Sequence, residues 1–300
     1  TECCDEHLWV VRNADRRAKP HLFRNEWEVK QTKDIAKNHR RGSQRTNCEI
    51  RSNRNRVNYD IPLVNSIEFL GQDLRIDPYL LGVLIGDGYL RDINVEFSSA
   101  DSQIVNAVRD LIPRGHTVVK ATGYDYRISR AKSHRNEVLD ALRFYDLAGK
   151  RAEEKHIPKE YLFSAECDRI ALLQGLLDTD GTVGKDNGSV SFCTTSPRLA
   201  SDFIALVRSL GGVCGQVVWR RKSYTYRGKK LIGRPAVSIH ACLPNTIAPF
   251  RLSRKMTLVK PKTKYAPKRY IVSIERTSEH KQMQCISVAH HSHTYVTDDY

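Results

Sequence analysis

Residues 80–88 read LLGVLIGDG, and residues 173–181 read LQGLLDTDG. Asp77 and Pro78 stand just before the first segment, as at a helix start, because Asp caps the first turn and Pro lacks an N–H that the first helical position does not need. The helix that follows is apolar on every side. It is therefore predicted to be buried all round.

Both segments carry small residues four positions apart. Gly82 and Gly86 form such a pair in the first segment, and Gly175 and Thr179 form one in the second. Small residues at this spacing leave a flat strip on which another helix backbone can pack closely. The two helices are therefore predicted to pack side by side.

The likeness continues beyond these two segments. Residues 95–99 (VEFSS) precede a predicted helix over 101–111, and residues 190–195 (VSFCTT) precede one over 197–210. The chain is thus interpreted as an internal duplication of an α+β unit in which each half runs helix, strands, helix.

Composition indicates a folded and strongly basic protein. The 300 residues include 40% hydrophobic side chains, and Lys and Arg exceed Asp and Glu by 15. This charge favours phosphate backbones as partners. No apolar run approaches the roughly 18 residues of a membrane helix, so a soluble intracellular protein without a membrane partner is predicted, cytoplasmic or nucleoid-associated. Eight cysteines without a CxxC pair are interpreted as reduced thiols.

Basic and aromatic residues share the predicted strands. Candidates for DNA contact are Tyr126 and Arg127 in the first half and Arg220, Lys222 and Arg227 in the second. Because side chains alternate along a strand, one face is predicted to be strongly basic. The alternative is a solvated strand edge rich in Lys and Arg.

Asp87 and Asp180 end the two apolar helices. If the helices pack together, the carboxylates lie together at helix ends that already carry negative partial charge. Two such carboxylates repel unless a cation lies between them, and hard oxygen ligands suit Mg²⁺. Bound Mg²⁺ would support in-line hydrolysis of a phosphodiester. The alternative is that each Asp-Gly merely ends a helix.

The two motifs resemble those of the single-chain LAGLIDADG homing endonucleases, and the similarity spans about residues 75–262. The resemblance implies two αββαββα halves, about 75–150 and 165–262, that form a saddle on double-stranded DNA in a monomer with internal pseudo-twofold symmetry. It gives Asp87 and Asp180 the catalytic and metal-binding roles. Ile85 departs from the nominal motif, which has Asp there.

Family members also use a basic residue near each scissile phosphate. Lys155, in the sequence KHIP, resembles the lysine block between the motifs, and its ammonium would polarise water or neutralise phosphate. For the second half the candidates are Lys255 and Lys260, of which Lys260 is assigned the catalytic role. An ordinary solvated lysine is the alternative for Lys155.

The flanking segments resemble an intein splicing domain of the all-β Hint type. CDEHLWVVR resembles the motif whose histidine activates the N-terminal scissile peptide, which gives that role to His7, although Cys4 stands where Thr is usual. The late segment QCISVAHHSHTYVTDDY resembles the motif before the terminal His-Asn. Trp9 together with Cys285 resembles variant inteins in which that internal cysteine is the branching nucleophile.

The predicted organisation is therefore an N-terminal splicing part over 1–66, an endonuclease over 67–262 and a C-terminal splicing part over 263–300. Because no splice-junction residue precedes the chain and it stops before a His-Asn, a truncated intein that cannot complete splicing is expected. The basic segment 30–56 is interpreted either as a solvated loop or as an arm along DNA.

The leading hypothesis is a site-specific, Mg²⁺-dependent double-strand DNA endonuclease within an intein. A LAGLIDADG-fold DNA- or RNA-binding protein that does not cut is one alternative, and the retention of both acids argues against it. A protein-splicing element, dependent on His7, Trp9 and Cys285, is the other.

Overall fold

The structure is a computed structural model that describes residues 1–41, 56–90, 94–130, 134–261, 268–279, 281–282, 284, 286–291 and 293–297. The chain forms two compact units. Unit 1 comprises Thr1–Val64 and Lys268–Tyr300, and unit 2 comprises Asn65–Pro267. Unit 2 is thus inserted into unit 1 along the chain. In the part that the structure describes, no helix is long and apolar enough to cross a membrane.

Unit 1 begins with short elements. They are β1 (Leu8–Val11), α1 (Ala14–Ala18), a 3₁₀ turn (Pro20–Leu22), β2 (Glu28–Gln31), α2 (Thr32–Asn38), β3 (Arg40–Arg41), β4 (Arg56–Val57) and β5 (Asp60–Ile61).

The first half of unit 2 follows the order αββαββα. Its elements are α3 (Pro78–Asp87), β6 (Gly88–Tyr89), β7 (Val95–Ser98), α4 (Ser102–Leu111), β8 (His116–Lys120), β9 (Asp125–Arg130) and α5 (Glu137–Phe144). The strands form one antiparallel sheet in the order β6-β7-β9-β8.

A connection containing a 3₁₀ turn (Ala152–Glu154) and α6 (Lys159–Leu162) leads to the second half. That half comprises α7 (Glu166–Asp180), β10 (Gly181–Val183), β11 (Val190–Thr194), α8 (Pro197–Ser209), β12 (Val213–Cys214), β13 (Trp219–Tyr226), β14 (Lys229–Cys242) and α9 (Ser253–Met256). Its sheet has the order β10-β11-β14-β12, and β13 also pairs with β14. The chain then returns to unit 1, where β15 (Arg269–Tyr270) pairs with β5.

The structure corrects the expectation of strands and loops alone in unit 1. Helix α1 forms because the Asn13 side chain accepts the Arg16 N–H at 2.9 Å and caps its first turn. Helix α2 forms around Ile35, which is buried with Val11 and Tyr59 in a small separate core. Residues 42–55, most of the predicted basic loop or arm, lie outside the described residues.

Helix α3 begins where the sequence predicts. The Asp77 carboxylate accepts the N–H groups of Tyr79 at 2.9 Å and Leu80 at 3.1 Å, and Pro78 occupies the first turn. Every residue from Pro78 to Ile85 is buried. The prediction of a helix buried on every side is confirmed.

Helices α3 and α7 pack against each other through their glycines. A Cβ atom built on Gly82 would lie 2.5 Å from the Leu172 carbonyl oxygen and 2.9 Å from the Gly175 Cα atom. Such distances leave no room for even a methyl group between the backbones. The predicted close packing of the two helices is confirmed, and it brings the C-terminal ends of α3 and α7 together.

Candidate active site

Asp87 and Asp180 are the last residues of α3 and α7, and the chain turns directly from each of them into a strand. Gly88 and Gly181 make these turns with extended backbone geometry. A Cβ atom on Gly88 would overlap the Leu84 carbonyl oxygen of the preceding helical turn, and Gly181 has the same restriction. Glycine is therefore required after each aspartate.

The two carboxylates share a buried and electrostatically coupled environment. Burial raises the pKa of Asp87 above its ordinary value, opposed by the positive charges of Lys155 and Lys255. Burial and the Asp87 charge raise the pKa of Asp180 to about 6, against the same two lysines. The predicted repulsion between the carboxylates is thus present, and a cation between them would relieve it.

Lys155 reaches the end of α3 from the connection between the halves. Its ammonium donates to the carbonyl oxygens of Leu84 at 3.3 Å, Gly86 at 3.2 Å and Gly88 at 2.7 Å. The residue is 5% exposed, so it is not an ordinary solvated lysine. Burial lowers its pKa to about 8, although both aspartates counteract this.

Lys255, on α9, does the same at the end of α7. Its ammonium donates to the carbonyl oxygens of Leu177 at 2.8 Å, Asp178 at 2.7 Å and Gly181 at 2.7 Å. The choice of Lys260 is corrected here. The Lys260 ammonium donates to the Asp186 carbonyl oxygen at 2.6 Å in an exposed position instead.

Sequence spacing contained a signal for the correct lysine. Lys155 follows Asp87 by 68 residues and Lys255 follows Asp180 by 75, whereas Lys260 follows it by 80. The two halves therefore place their lysines at similar distances after the motif only if Lys255 is chosen.

The hydrogen bonds define what the lysines can do. An ammonium group has three donors, and three carbonyl oxygens at a helix end accept from each lysine. These carbonyls are the ones that a helix end leaves without partners. Lys155 and Lys255 therefore act as fixed positive charges beside the two carboxylates rather than as free proton donors.

The donor set fits a hard divalent cation. Among the described residues, no cluster of three or more His, Cys, Asp or Glu side chains is arranged to hold a metal ion. Mg²⁺, however, commonly takes only one or two carboxylates and completes its shell with water and substrate phosphate oxygens. Asp87 and Asp180, whose like charges oppose each other in a buried place, meet this requirement.

A cleft of about 290 Å³ gives access to this region. Its lining includes Asp87, Thr179 and Asp101, together with the exposed ring of Tyr124. Arg254 lines it as well and forms an ion pair with Asp101 at 2.6 Å. The site is therefore open to a substrate from the strand side of the first half.

The first sheet does not present the strongly basic face that the sequence predicts. Tyr126 lies on the core side, where its ring stacks on that of Phe97 with centroids 5.5 Å apart. Arg127 lies on the opposite face, but Glu96 pairs with it at 2.7 Å. The expectation of a DNA-contacting Tyr126 is corrected, because alternation places it on the same side as the buried Ile128.

The hairpin of β13 and β14 carries the unbalanced positive charge. Residues 215–242 contain seven Lys and Arg and no Asp or Glu. Arg220 is exposed in β13, and Arg227 forms the tip with a left-handed backbone (φ 47°). Lys222 lies in β13, but its side chain is outside the described part of the structure.

A buried carboxylate that sequence reasoning missed joins the halves. Asp178, 2% exposed, accepts a hydrogen bond from the Tyr79 hydroxyl at 2.9 Å and from the N–H groups of Arg251 at 3.1 Å and Leu252 at 3.2 Å. The only sequence signal was its position in the motif, where the first copy has Ile85.

The candidate splicing residues belong to unit 1. The rings of His7 and Trp9 meet edge to face with centroids 5.1 Å apart, and the indole N–H donates to the Thr32 hydroxyl at 3.0 Å. Cys285 lies outside the described residues. The structure therefore brings two of the three candidates together.

Comparison with known proteins gives one family match and two relatives. Residues 168–227 match the family model of a LAGLIDADG-like domain. The chain is 30% identical over 246 residues to the replicative DNA helicase DnaB of Mycobacterium intracellulare, which covers 80% of this chain and 37% of that protein. It is 27% identical over 147 residues to the A-type subunit of DNA gyrase from Mycolicibacterium flavescens, covering 46% of this chain and 26% of that protein. The chain thus spans well under half of either relative.

Solved structures of the homing endonuclease I-DmoI are also similar. Its complex with DNA and Ca shares 15% identity at a TM-score of 0.37 and covers 61% of this chain and 95% of that one. A set of its mesophilic variants shares 14% identity at a TM-score of 0.33 and covers 61% and 92%. The family match, which runs from α7 to the tip of the β13–β14 hairpin, establishes that this chain carries a LAGLIDADG-like domain.

Proposed function

We propose that unit 2 is a site-specific, Mg²⁺-dependent endonuclease that cuts both strands of DNA. The observation that carries this proposal is the paired site. Asp87 and Asp180 end two helices packed backbone to backbone, and each helix end also holds a buried lysine. When bound, a divalent cation supplies positive charge against a phosphodiester and makes water a stronger nucleophile.

The charges of the chain support the same assignment. The carboxylates provide the oxygen ligands, and Lys155 and Lys255 keep positive charge within a site that would otherwise be strongly negative. The acid-free hairpin of β13 and β14 supplies positive charge for DNA. A two-stranded ribbon of this kind fits the major groove of B-form DNA.

The test is cleavage of a plasmid library that carries randomised sites. Wild-type protein with Mg²⁺ is expected to give discrete double-strand ends, while Asp87→Asn and Asp180→Asn are expected to bind the selected site without cutting it. Asp110→Asn, which alters an exposed carboxylate on α4, is the matched control and is expected to cut normally.

Two results would overturn the proposal. Equal cutting by wild type and Asp87→Asn would remove the assigned site. Tight binding without any break, in wild type with Mg²⁺ or Mn²⁺, would favour a LAGLIDADG-fold binding protein instead.

The relatives favour an intein as the context of this nuclease. The chain matches stretches of two differently named proteins, one a helicase and the other part of a gyrase, and covers only part of each. A segment shared by proteins with different functions is what an inserted element produces. Unit 1, built from both chain ends around unit 2, has the corresponding topology.

His7, Trp9 and Cys285 are the proposed splicing residues. With the expected missing ends supplied and marker proteins fused on both sides, wild type is expected to release a cleaved or ligated product on a gel. His7→Ala is expected to leave the precursor whole. Equal processing of both proteins would contradict the role of His7.

A further inference from the structure

Each lysine of the site is carried by a main-chain segment that a carboxylate outside the motif aspartates holds in place. For Lys255 this carboxylate is Asp178. It accepts the N–H groups of Arg251 and Leu252, which directly precede α9. Leu252 is 1% exposed, so its N–H has no access to water if this partner is lost.

For Lys155 the corresponding carboxylate is Asp202 on α8. It accepts the Ile157 N–H at 2.9 Å, two residues beyond the lysine. The Ser196 hydroxyl donates to the Lys155 carbonyl oxygen at 2.7 Å and fixes the same segment from its other side. Ile157 is 1% exposed and thus equally dependent on its partner.

Main-chain anchoring decides where each ammonium lies. The lysine side chain has four rotatable bonds, and its charge stays in place only if the main chain that carries it is fixed. Asp178 acts three residues before Lys255, and Asp202 acts two residues after Lys155. A shift of about 1 Å in a charged group of an active site is large enough to change a rate strongly.

The two anchors are not equivalent by sequence. Asp178 lies inside the second motif, and the matching position of the first motif is Ile85, an apolar residue. The first half therefore has no carboxylate there, and Asp202, from α8 of the second half, anchors Lys155 instead. Separate anchors permit separate perturbation of the two lysines.

We propose that Asp178 and Asp202 are positioning residues, Asp178 for Lys255 and Asp202 for Lys155, and that each sets the cutting rate of one DNA strand. This inference rests on the proposed nuclease function of unit 2. It assigns a role to two carboxylates that bind neither the cation nor the phosphate.

The experiment uses the full chain and a supercoiled plasmid that contains the selected site. Asp178→Ala and Asp202→Ala are each expected to accumulate nicked circles, because one strand is cut at least tenfold more slowly than the other. Sequencing the nicks is expected to place them on opposite strands in the two variants. DNA affinity is expected to remain within twofold of wild type.

Strand bias separates positioning from loss of fold. A partly unfolded preparation cuts both strands less and leaves their ratio unchanged, whereas a displaced lysine changes the ratio. Asp202→Asn keeps one oxygen acceptor for the single N–H and is expected to restore balanced cutting. Asp178→Asn faces three donors and is expected to remain biased. Asp110→Ala serves as the matched surface control.

Three outcomes overturn the inference. Equal slowing of both strands in both alanine variants assigns these carboxylates a purely structural role. Nicks on the same strand in both variants refute the pairing of each anchor with one lysine. Wild-type protein that cuts neither strand refutes the proposed nuclease function itself, and the inference with it.

Discussion

Replacement of Gly82 by alanine tests the backbone-to-backbone packing of α3 and α7. The added methyl carbon would lie 2.5 Å from the Leu172 carbonyl oxygen, about 0.9 Å closer than the 3.4 Å at which ordinary contact begins. Both nearest atoms beyond that oxygen, the Gly175 Cα and the Leu176 nitrogen, also belong to backbone. No side chain can rotate away, so the helices must separate.

Two opposing effects decide the stability of this variant. Alanine in place of glycine inside a helix stabilises by about 1 kcal/mol through propensity. Overpacking in a dense core costs about 1–3 kcal/mol. We expect a net loss of about 1–2 kcal/mol, because the overlap involves backbone on both sides.

The assay is urea unfolding followed by circular dichroism at 222 nm, a signal to which the longer helices of unit 2 contribute most. With a slope of about 2 kcal/mol per molar urea, the midpoint is expected to fall by roughly 0.5–1 M. Gly71→Ala is the control, since nothing lies within 4 Å of its added carbon. Cutting is expected to fall at least tenfold, because the separation of the helices also displaces Asp87 from Asp180.

Gly175→Ala provides an independent check on the same contact. Its added carbon would lie 2.9 Å from the Gly82 Cα atom. Once one alanine has separated the helices, the second should cost less, so the double variant is expected to lose less stability than the two single losses combined. A Gly82→Ala protein as stable as wild type would refute the reasoning, since propensity would then outweigh the overlap.

Three further predictions concern charge. Burial and a neighbouring carboxylate raise the pKa of Asp180 to about 6, so its contribution to stability is complete below about pH 4 and is lost as the pH rises through 6. Asp180→Asn is therefore expected to raise the melting temperature of metal-free protein at pH 8 by a few degrees, and an unchanged temperature would contradict this. Lys255→Met is expected to reduce cutting at least 100-fold, while Lys260→Met stays within twofold of wild type, because only the first ammonium lies at a motif helix end; equal losses in a cleavage time course would count against the assignment. The double change of Lys229 and Lys230 to alanine is expected to reduce the slope of log affinity against log salt by about two, as measured by titration at several salt concentrations, and an unaltered slope would exclude the hairpin from phosphate contact.

The sequence alone determined the elements whose cause is local. The start of α3 follows from Asp77 and Pro78, because capping and the fixed proline backbone act within one helical turn. The close packing of α3 and α7 follows from Gly82 and Gly175, since small residues on two wholly apolar helices leave few other ways to bury them. The two motif aspartates could be proposed as partners for this reason.

Only the tertiary structure decided features that depend on contacts between distant segments. Lys255 and Lys260 are five residues apart, and only the course of the chain into α9 shows which one reaches the carbonyl oxygens of α7. Tyr126 faces the core because the register of β9 fixes which set of alternating side chains is buried. Asp178 joins Tyr79, 99 residues before it, to a main-chain segment more than 70 residues after it. No local pattern encodes such a network, because its hydrogen bonds form only after the helices have packed.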